Sequence, residues 1–338
     1  MTDWRLLRDG ITDAHHHFAV EEALVRQVDE GLSPSTLRLR QVRRAVFVGV
    51  LQDTWSEVDV DYCRQHDIKI VRRPNAGGAV YHDLGSFCYS AFFPRAAFSQ
   101  SEEELYRLFA GPVIRTCAGY GVTAHFHGVN DVLVGQRKIY GSAQLAWYDT
   151  LVQSGTFLVN MDFDTLGRAL TPPALKFADK PARSVKERVT SLAREVGREL
   201  DVDEVMAQFV AYFSQVLGVR LVPGDLTAEE QKLAAELLAV KYSTDEWNLG
   251  AQRAYGVTVS AKAQGGVVSL SADLDGQTMR QVRIQGDFLV SDRAELERLE
   301  RALVGRRPEE AQTVVQDAPL PPDVMETLVK LLAEIGRM

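Results

Sequence analysis

The sequence predicts an α+β protein in two parts, a larger one followed by a smaller one. Three observations lead there. The chain has 338 residues, 46% of them hydrophobic, enough for one large core and a second smaller one. Through its first two thirds, short β-branched apolar runs are interleaved with stretches of helical spacing. From about Tyr255 the pattern changes to strict polar–apolar alternation around Gly265-Gly266 and Asp275-Gly276, followed by two helical stretches.

The elements follow in order. Asp13 is placed to cap a helix through about Glu30, with Phe18, Leu24, Val25 and Val28 at near-helical spacing and Gly31 as its stop. "AVFVGVL" (45–51) predicts a buried strand, a helix spans about Asp59 to His66, and "IKIVRR" (68–73) is the next strand. "YSAFF" (89–93) follows as another. Ser99 with Glu102 makes a capping box for a helix to about Gly119, which Pro112 is expected to kink or divide. "NDVLVGQRKIYGSAQ" (130–144) reads as a hairpin whose Gly135-Gln136 turn has glycine where a type II′ turn wants it. "TFLVNMD" (156–162) is a strand, 210–217 a helix, and "VPGDLTAEEQ" (222–231) a junction. The boundaries are therefore 1–225 for the larger part, 226–250 for a linker or helix, and 251–338 for the smaller part.

Composition excludes some functions. A formal net charge of −8 argues against a nucleic-acid-binding surface, so an anionic ligand must meet a local basic patch. Cys63, Cys88 and Cys117 show no CxxC spacing, which fits free thiols in a reducing cytoplasm. No apolar run approaches a membrane span. The chain has neither GxxxxGK[ST] nor GxGxxG, so a nucleotide would need another cradle.

With the Gly135-Gln136 turn setting the register, Leu133 is expected opposite Lys138 and Asp131 opposite Tyr140. All four side chains then share one face, with Lys138 diagonal to Asp131, while Val132, Val134 and Ile139 face the core. "HHH" (15–17), with His17 and Glu21 one helical turn apart, and "HFH" (125–127) read as ordinary histidines, since neither has a complete metal ligand set.

Four segments in order, "RRPNAGGAVYHDLG" (72–85), "NDVLV" (130–134), "RKIYGSAQ" (137–144) and "SVKERVTSL" (184–192), resemble the lipoate-protein ligase A family, within the biotin and lipoate ligases and octanoyltransferases. "EEALV" (21–25) and "FVGVLQDTWSEVDVDYC" (47–63) match the family's N-terminal half. "VRIQGDF" (282–288) looks like the accessory domain of its two-domain members. The resemblance implies a mixed β-sheet flanked by helices, related to class II aminoacyl-tRNA synthetases. It implies an enzyme that activates lipoate or octanoate with ATP and magnesium to an acyl-adenylate. The acyl group then passes to a lysine of a lipoyl domain of a 2-oxoacid dehydrogenase or of a glycine-cleavage H-type protein, with the ligase acting as a cytoplasmic monomer.

Carried over by position, the resemblance makes Lys138 catalytic and nucleotide-contacting. It assigns acyl binding to Arg73, Asn75, Ala76, Gly77, Gly78, Ala79, His82, Tyr140, Gly141 and Ser142. Nucleotide binding falls to Asn130, Asp131, Lys180, Ser184 and Arg188, with Asp131 as the magnesium ligand. Some positions depart from the family pattern. Asn75-Ala76 stand where Ser-Gly is usual, Tyr140 replaces a small residue, Leu145 and Ala146 stand where bases are common, and Gln153-Ser154 where His-His is. Two other readings remain. An ATP-independent octanoyl or lipoyl transferase would carry the acyl group on a thiolate, but the loop before the lysine hairpin, "TAHFHGVND" (123–131), has no cysteine. A non-catalytic lipoyl-binding homologue would keep the pocket without the chemistry.

Overall fold

The computed structural model describes residues 2–172, 175, 185–250, 253–288 and 293–338. Its strands are β1 (Thr2–Thr12), β2 (Thr36–Val42), β3 (Ala45–Val48), β4 (Lys69–Arg72), β5 (Val80–His82), β6 (Ser86–Pro94), β7 (His125–His127), β8 (Asp131–Val134), β9 (Arg137–Trp147), β10 (Thr150–Leu158), β11 (Val219–Pro223), β12 (Val257–Ala263), β13 (Gly266–Asp275) and β14 (Thr278–Gly286). Eight of them form one mixed sheet in the order β11-β1-β2-β6-β10-β9-β8-β7. β1 runs parallel to both neighbours, and the ladder is antiparallel from β2 onward. A three-stranded sheet, β4-β3-β5, and an antiparallel one, β12-β13-β14, complete the set.

β6 shows why the large sheet is covered on both faces. Phe87, Tyr89, Ala91 and Phe93 point into a core shared with Phe109 and Phe213 of the helices Glu102–Gly119 and Val202–Leu217. The alternate residues Cys88 and Phe92 join Phe18, Val25 and Val28 of the helix Ala14–Asp29 on the other side. A strand apolar at both parities must be sandwiched, and this one is.

The helix Ala14–Asp29 starts where expected, the Asp13 carboxylate accepting from the His15 and His16 N–H groups, and Gly31 follows its end at φ +72°. The next capping box is displaced by two residues. Ser101 and Glu104 form it, not Ser99 and Glu102, and Pro112 sits inside a helix that continues past it. Both Ser–x–x–Glu pairs satisfy the pattern, so spacing alone does not choose between them.

β1 and β2 fall on segments whose charged residues mask their strand character. In "TLRLRQV" the leucines and arginines alternate, yet Arg38 and Arg40 are as buried as Leu37 and Leu39. Residues 228–248 form helices packed back on the first helix, where Lys241 Nζ and Tyr242 Oη lie 2.7 and 2.6 Å from Glu22. Buried Glu230 holds Arg5 at 2.6 Å. Among the described residues, three helices rather than two follow β14: Arg293–Leu303, Pro308–Gln316 and Pro322–Ile335. Prolines at 308 and 322 open new helices in the first turn, where a missing N–H costs nothing. Among the described residues no helix is long and apolar enough to cross a membrane.

Candidate functional site

One row of residues crosses six neighbouring strands of the large sheet. His127 pairs with Asp131, Asp131 with Gly141, Gly141 with Thr156, Thr156 with Cys88, and Cys88 with Arg40. Directly opposed residues of antiparallel strands share a face. All six line a single cavity of about 520 Å³. The volume is in the usual range for a small-molecule site.

Lys138 enters this row through a bulge. Leu133 pairs with Lys138 as the turn requires, but the next pair is Val132 with Tyr140, so Ile139 has no counterpart on β8. The register beyond the turn is therefore shifted, and Asp131 lies opposite Gly141, not Tyr140. Lys138 and Asp131 consequently meet, Nζ to Oδ1 at 2.6 Å, close enough for an ion pair though off the line of a hydrogen bond. A Cβ on Gly141 would fall 2.4 Å from Lys138 Cε, so the lysine lies across the glycine. Tyr140 is turned to the other face. Its ring stacks on Tyr89 at an interplanar angle of 5°, and the two hydroxyls lie 2.7 Å apart, deep in the aromatic core. Gly155 makes room for that ring, since a Cβ there would meet it at 2.4 Å. Burial pushes the Tyr140 hydroxyl up to about 12.

The loop after β4 is held by its arginines. Arg73 is buried and spends its guanidinium on the Phe47 and Ala76 carbonyls at 3.1 and 3.0 Å, and burial lowers its pKa to about 10. It therefore fixes the loop while lining the cavity. Arg72 gathers the Gly49 and Gln52 carbonyls at 3.0 and 2.7 Å and reaches Trp247 O at 2.9 Å. Gly77, at φ +101°, presses its carbonyl onto Gly49, where a Cβ would come within 2.0 Å. Asn75, Ala76, Gly78, Ala79 and His82 line the cavity as well, and Asn75 Oδ1 is buried without a hydrogen-bond partner.

Behind this wall is a buried polar network whose arginines and serines the motifs did not mark. Arg38 Nη1 donates to Glu21 at 2.7 Å and Arg40 Nη2 to Ser90 at 3.0 Å, while Ser90 donates to the other Glu21 oxygen at 2.5 Å. His17 presents Nδ1 to both guanidinium groups, each at 3.1 Å. Burial first, and then Arg40 and Arg38, hold His17 well below the usual imidazole range. Burial with Arg73 and Arg40 lowers His82 to about 3. Both rings are therefore neutral. His17 and Glu21 meet through Arg38, whose Nη1 contacts both. The signal was the alternation of Arg38 and Arg40 with leucines, facing a helix that carries Glu21.

Asn130 clasps the strand start: its Nδ2 donates to Ser142 O at 2.5 Å, and the Ser142 hydroxyl donates to Asn130 O at 3.0 Å. Val189 bridges to Lys138, and the Thr190 N–H donates to Lys138 O at 2.8 Å, which brings Arg188 to the cavity. Lys180 and Ser184 lie outside the described residues. The expected residues thus line one cavity, apart from those two. Lys262, Gln264 and Asp287, not anticipated, line it also.

Asp131 is a hard oxygen donor at this site, but among the described residues no three His, Cys, Asp or Glu side chains gather around a point. A cation held by one carboxylate and by substrate phosphates fits; an all-protein cage does not. Of the three cysteines only Cys88 lines the cavity among the described residues, 3.4 Å from His82, and burial pushes its thiol up. Cys63 and Cys117 are raised to about 12 by burial.

A family model of the lipoyl protein ligase A/B catalytic domain matches residues 13–214. The chain is 30% identical over 305 residues to lipoate–protein ligase 1 of Staphylococcus aureus, covering 88% of each. It is 31% identical over 274 residues to octanoyltransferase LipM of Kyrpidia tusciae, covering 73% of this chain and 99% of that one. Among solved structures, a lipoate-protein ligase A bound with ATP gives a TM-score of 0.65 at 29% identity, over 74% of this chain and 99% of its own. A bipartite lipoate protein ligase of Thermoplasma acidophilum, studied with its E2 lipoyl domain, gives 0.65 at 31% identity, over 76% and 100%.

Proposed function

Because the chain belongs to the lipoyl protein ligase A/B catalytic domain family, we propose that it is an ATP-dependent lipoate-protein ligase. It activates lipoate or octanoate to the acyl-adenylate and passes the acyl group to a lysine of a lipoyl domain or H-type protein. Residues 1–225 act as the catalytic part, 226–250 as the strap and 251–338 as the accessory part. The observation that carries this reading is Lys138, laid over Gly141 and paired with Asp131 in the cavity.

In the first step the lipoate carboxylate attacks the α-phosphorus of ATP and pyrophosphate leaves. The Lys138 ammonium offsets the charge that builds between the two anions, and Asp131 keeps it aimed. Arg188 adds positive charge at the same wall. Arg73 and the Gly49–Gly77 contact hold the loop that borders the acyl group. Asp131 is the residue that would hold magnesium, which would supply neutralisation of phosphate charge. In the second step the acceptor amine attacks the acyl carbon, the amide forms and AMP departs. That amine must first lose a proton, since a free lysine is only about 0.04% neutral at pH 7.

A second reading is favoured by Cys88 in the cavity wall and by the likeness to an octanoyltransferase. Its thiol is the poor nucleophile of a buried site, which supports the ligase instead. The two are separated by assaying acyl transfer without ATP. Lipoylation of a lipoyl domain is expected only with ATP, and it is expected to survive Cys88→Ala. Transfer from octanoyl carrier protein that needs no ATP and vanishes in Cys88→Ala would replace the ligase reading.

A further inference from the structure

The turn between β12 and β13 reaches the same cavity as Lys138. Lys262, Gln264, Gly265 and Gly266 line it, with Asp287 beside them. This edge is built to fit closely. A Cβ on Gly266 would fall 2.6 Å from Asp287 Oδ1, and one on Gly286 would fall 2.0 Å from the Val267 carbonyl oxygen. Asp287 Oδ1 accepts the Val267 N–H at 2.6 Å, locking the turn to the end of β14. The Gly286 N–H donates to Leu51 O at 2.9 Å. Val50, Leu51 and Ala76 are buried in one apolar cluster with Val259, Val268 and Phe288. The loop that ends in Gly77-Gly78 is thus pressed between the large part of the chain and the β12-β13-β14 sheet.

We propose that Lys262 binds a phosphate of the nucleotide, so that the C-terminal part supplies a substrate-binding residue and not merely a cover. The proposal rests on the ATP-dependent reading above. The chain as a whole is negative, at −8, and Asp131, Asp287 and Glu57 also line the cavity. A polyphosphate entering it must be met by local cations. Lys138 and Arg188 come from the larger part of the chain; Lys262 comes from the end of β12, next to Gln264, Gly265 and Gly266, whose glycine backbone lets a ligand approach closely. An acyl chain has no use for an ammonium at that place, and its single carboxylate is already matched by Lys138.

The test is lipoate-dependent ATP–pyrophosphate exchange by the full chain, with ATP and lipoate varied separately, in wild type, Lys262→Ala and Lys262→Arg. Lys262→Ala is expected to raise KM for ATP about tenfold, the loss of one charge-assisted contact. KM for lipoate should stay within about twofold, and Lys262→Arg should recover most of the ATP effect. An unchanged KM for ATP, or equal increases for both substrates, would overturn the proposal, the second because it reports a loosened domain contact. Titration calorimetry with ATP alone separates the two readings. If wild type binds ATP without catalysing exchange, the ligase reading fails but weaker ATP binding by Lys262→Ala still supports the contact. If wild type binds no ATP, both fall.

Discussion

Lys138 lies across Gly141, with Cε 2.4 Å from where a Cβ on the glycine would sit. The contact exists because Ile139 is bulged, which puts two residues three apart in sequence on one face of β9. It also makes Gly141→Ala a separable test. The atoms in the way are the flexible end of a side chain, so the lysine can move aside at little cost in stability. Gly141→Ala is expected to lower pyrophosphate exchange about 100-fold by misdirecting the ammonium. The urea midpoint should shift by less than about 1 kcal/mol equivalent. Full exchange activity in this variant would mean that Lys138 does not act from its observed position.

Tyr140 borders the cavity, but its ring is buried in the aromatic core on the face away from Lys138. Replacing it by serine, the small residue usual at this position in the resembling family, should cost roughly 3 kcal/mol through the cavity it leaves. Acyl-chain preference, measured as the ratio of lipoate to octanoate kcat/KM, should not change by more than about twofold. A switch in preference without loss of stability would place the ring in the site.

Glu21 holds Arg38 and, through Ser90, Arg40, all of them buried. Removing one partner leaves uncompensated buried charge, so Glu21→Ala is expected to destabilise the chain by about 3–5 kcal/mol in urea titrations. Glu21→Gln should cost less, because it keeps an acceptor for the guanidinium. Loss of under 1 kcal/mol for Glu21→Ala would show the network to be energetically idle.

His17 and His82 are neutral when folded, and both have folded pKa values below the unfolded value of 6.5. Below that value the unfolded chain binds protons that the folded chain does not, so stability falls as pH falls. Each histidine contributes a slope of about 1.4 kcal/mol per pH unit between pH 6.5 and its folded pKa, about 3 for His82. Stability measured from pH 7 to 4 should decline accordingly, and His82→Gln should remove one proton's worth of the slope. A slope unaffected by His82→Gln would mean that His82 titrates in the fold.

The parts of this fold legible in the sequence are those set by local chemistry. Asp13 caps its helix, Gly135 at φ +58° makes the two-residue turn, and Leu133 meets Lys138 because that turn dictates it. The mixed sheet flanked by helices that the family resemblance implied is present, and the expected site residues within the described segments converge on one cavity. What was not legible depends on partners distant in the chain. A bulge has no sequence signature in "RKIYG", so the pairing of Asp131 with Gly141 and the turning away of Tyr140 could not be read. Arg38 and Arg40 look like a solvated strand face until Glu21 and Asp9 are known to lie against them. Lys262 enters the cavity only because Val50, Leu51 and Ala76 dock the last sheet there.

In the proposed reaction Lys138 directs acyl-adenylate formation. The most direct measurement is lipoate-dependent ATP–pyrophosphate exchange in wild type beside Lys138→Ala. Exchange is expected in wild type, with a fall of at least about 100-fold in the variant and an unchanged thermal transition. Exchange that persists undiminished in Lys138→Ala would contradict the role given to the lysine, and absence of exchange in wild type would contradict the ligase itself.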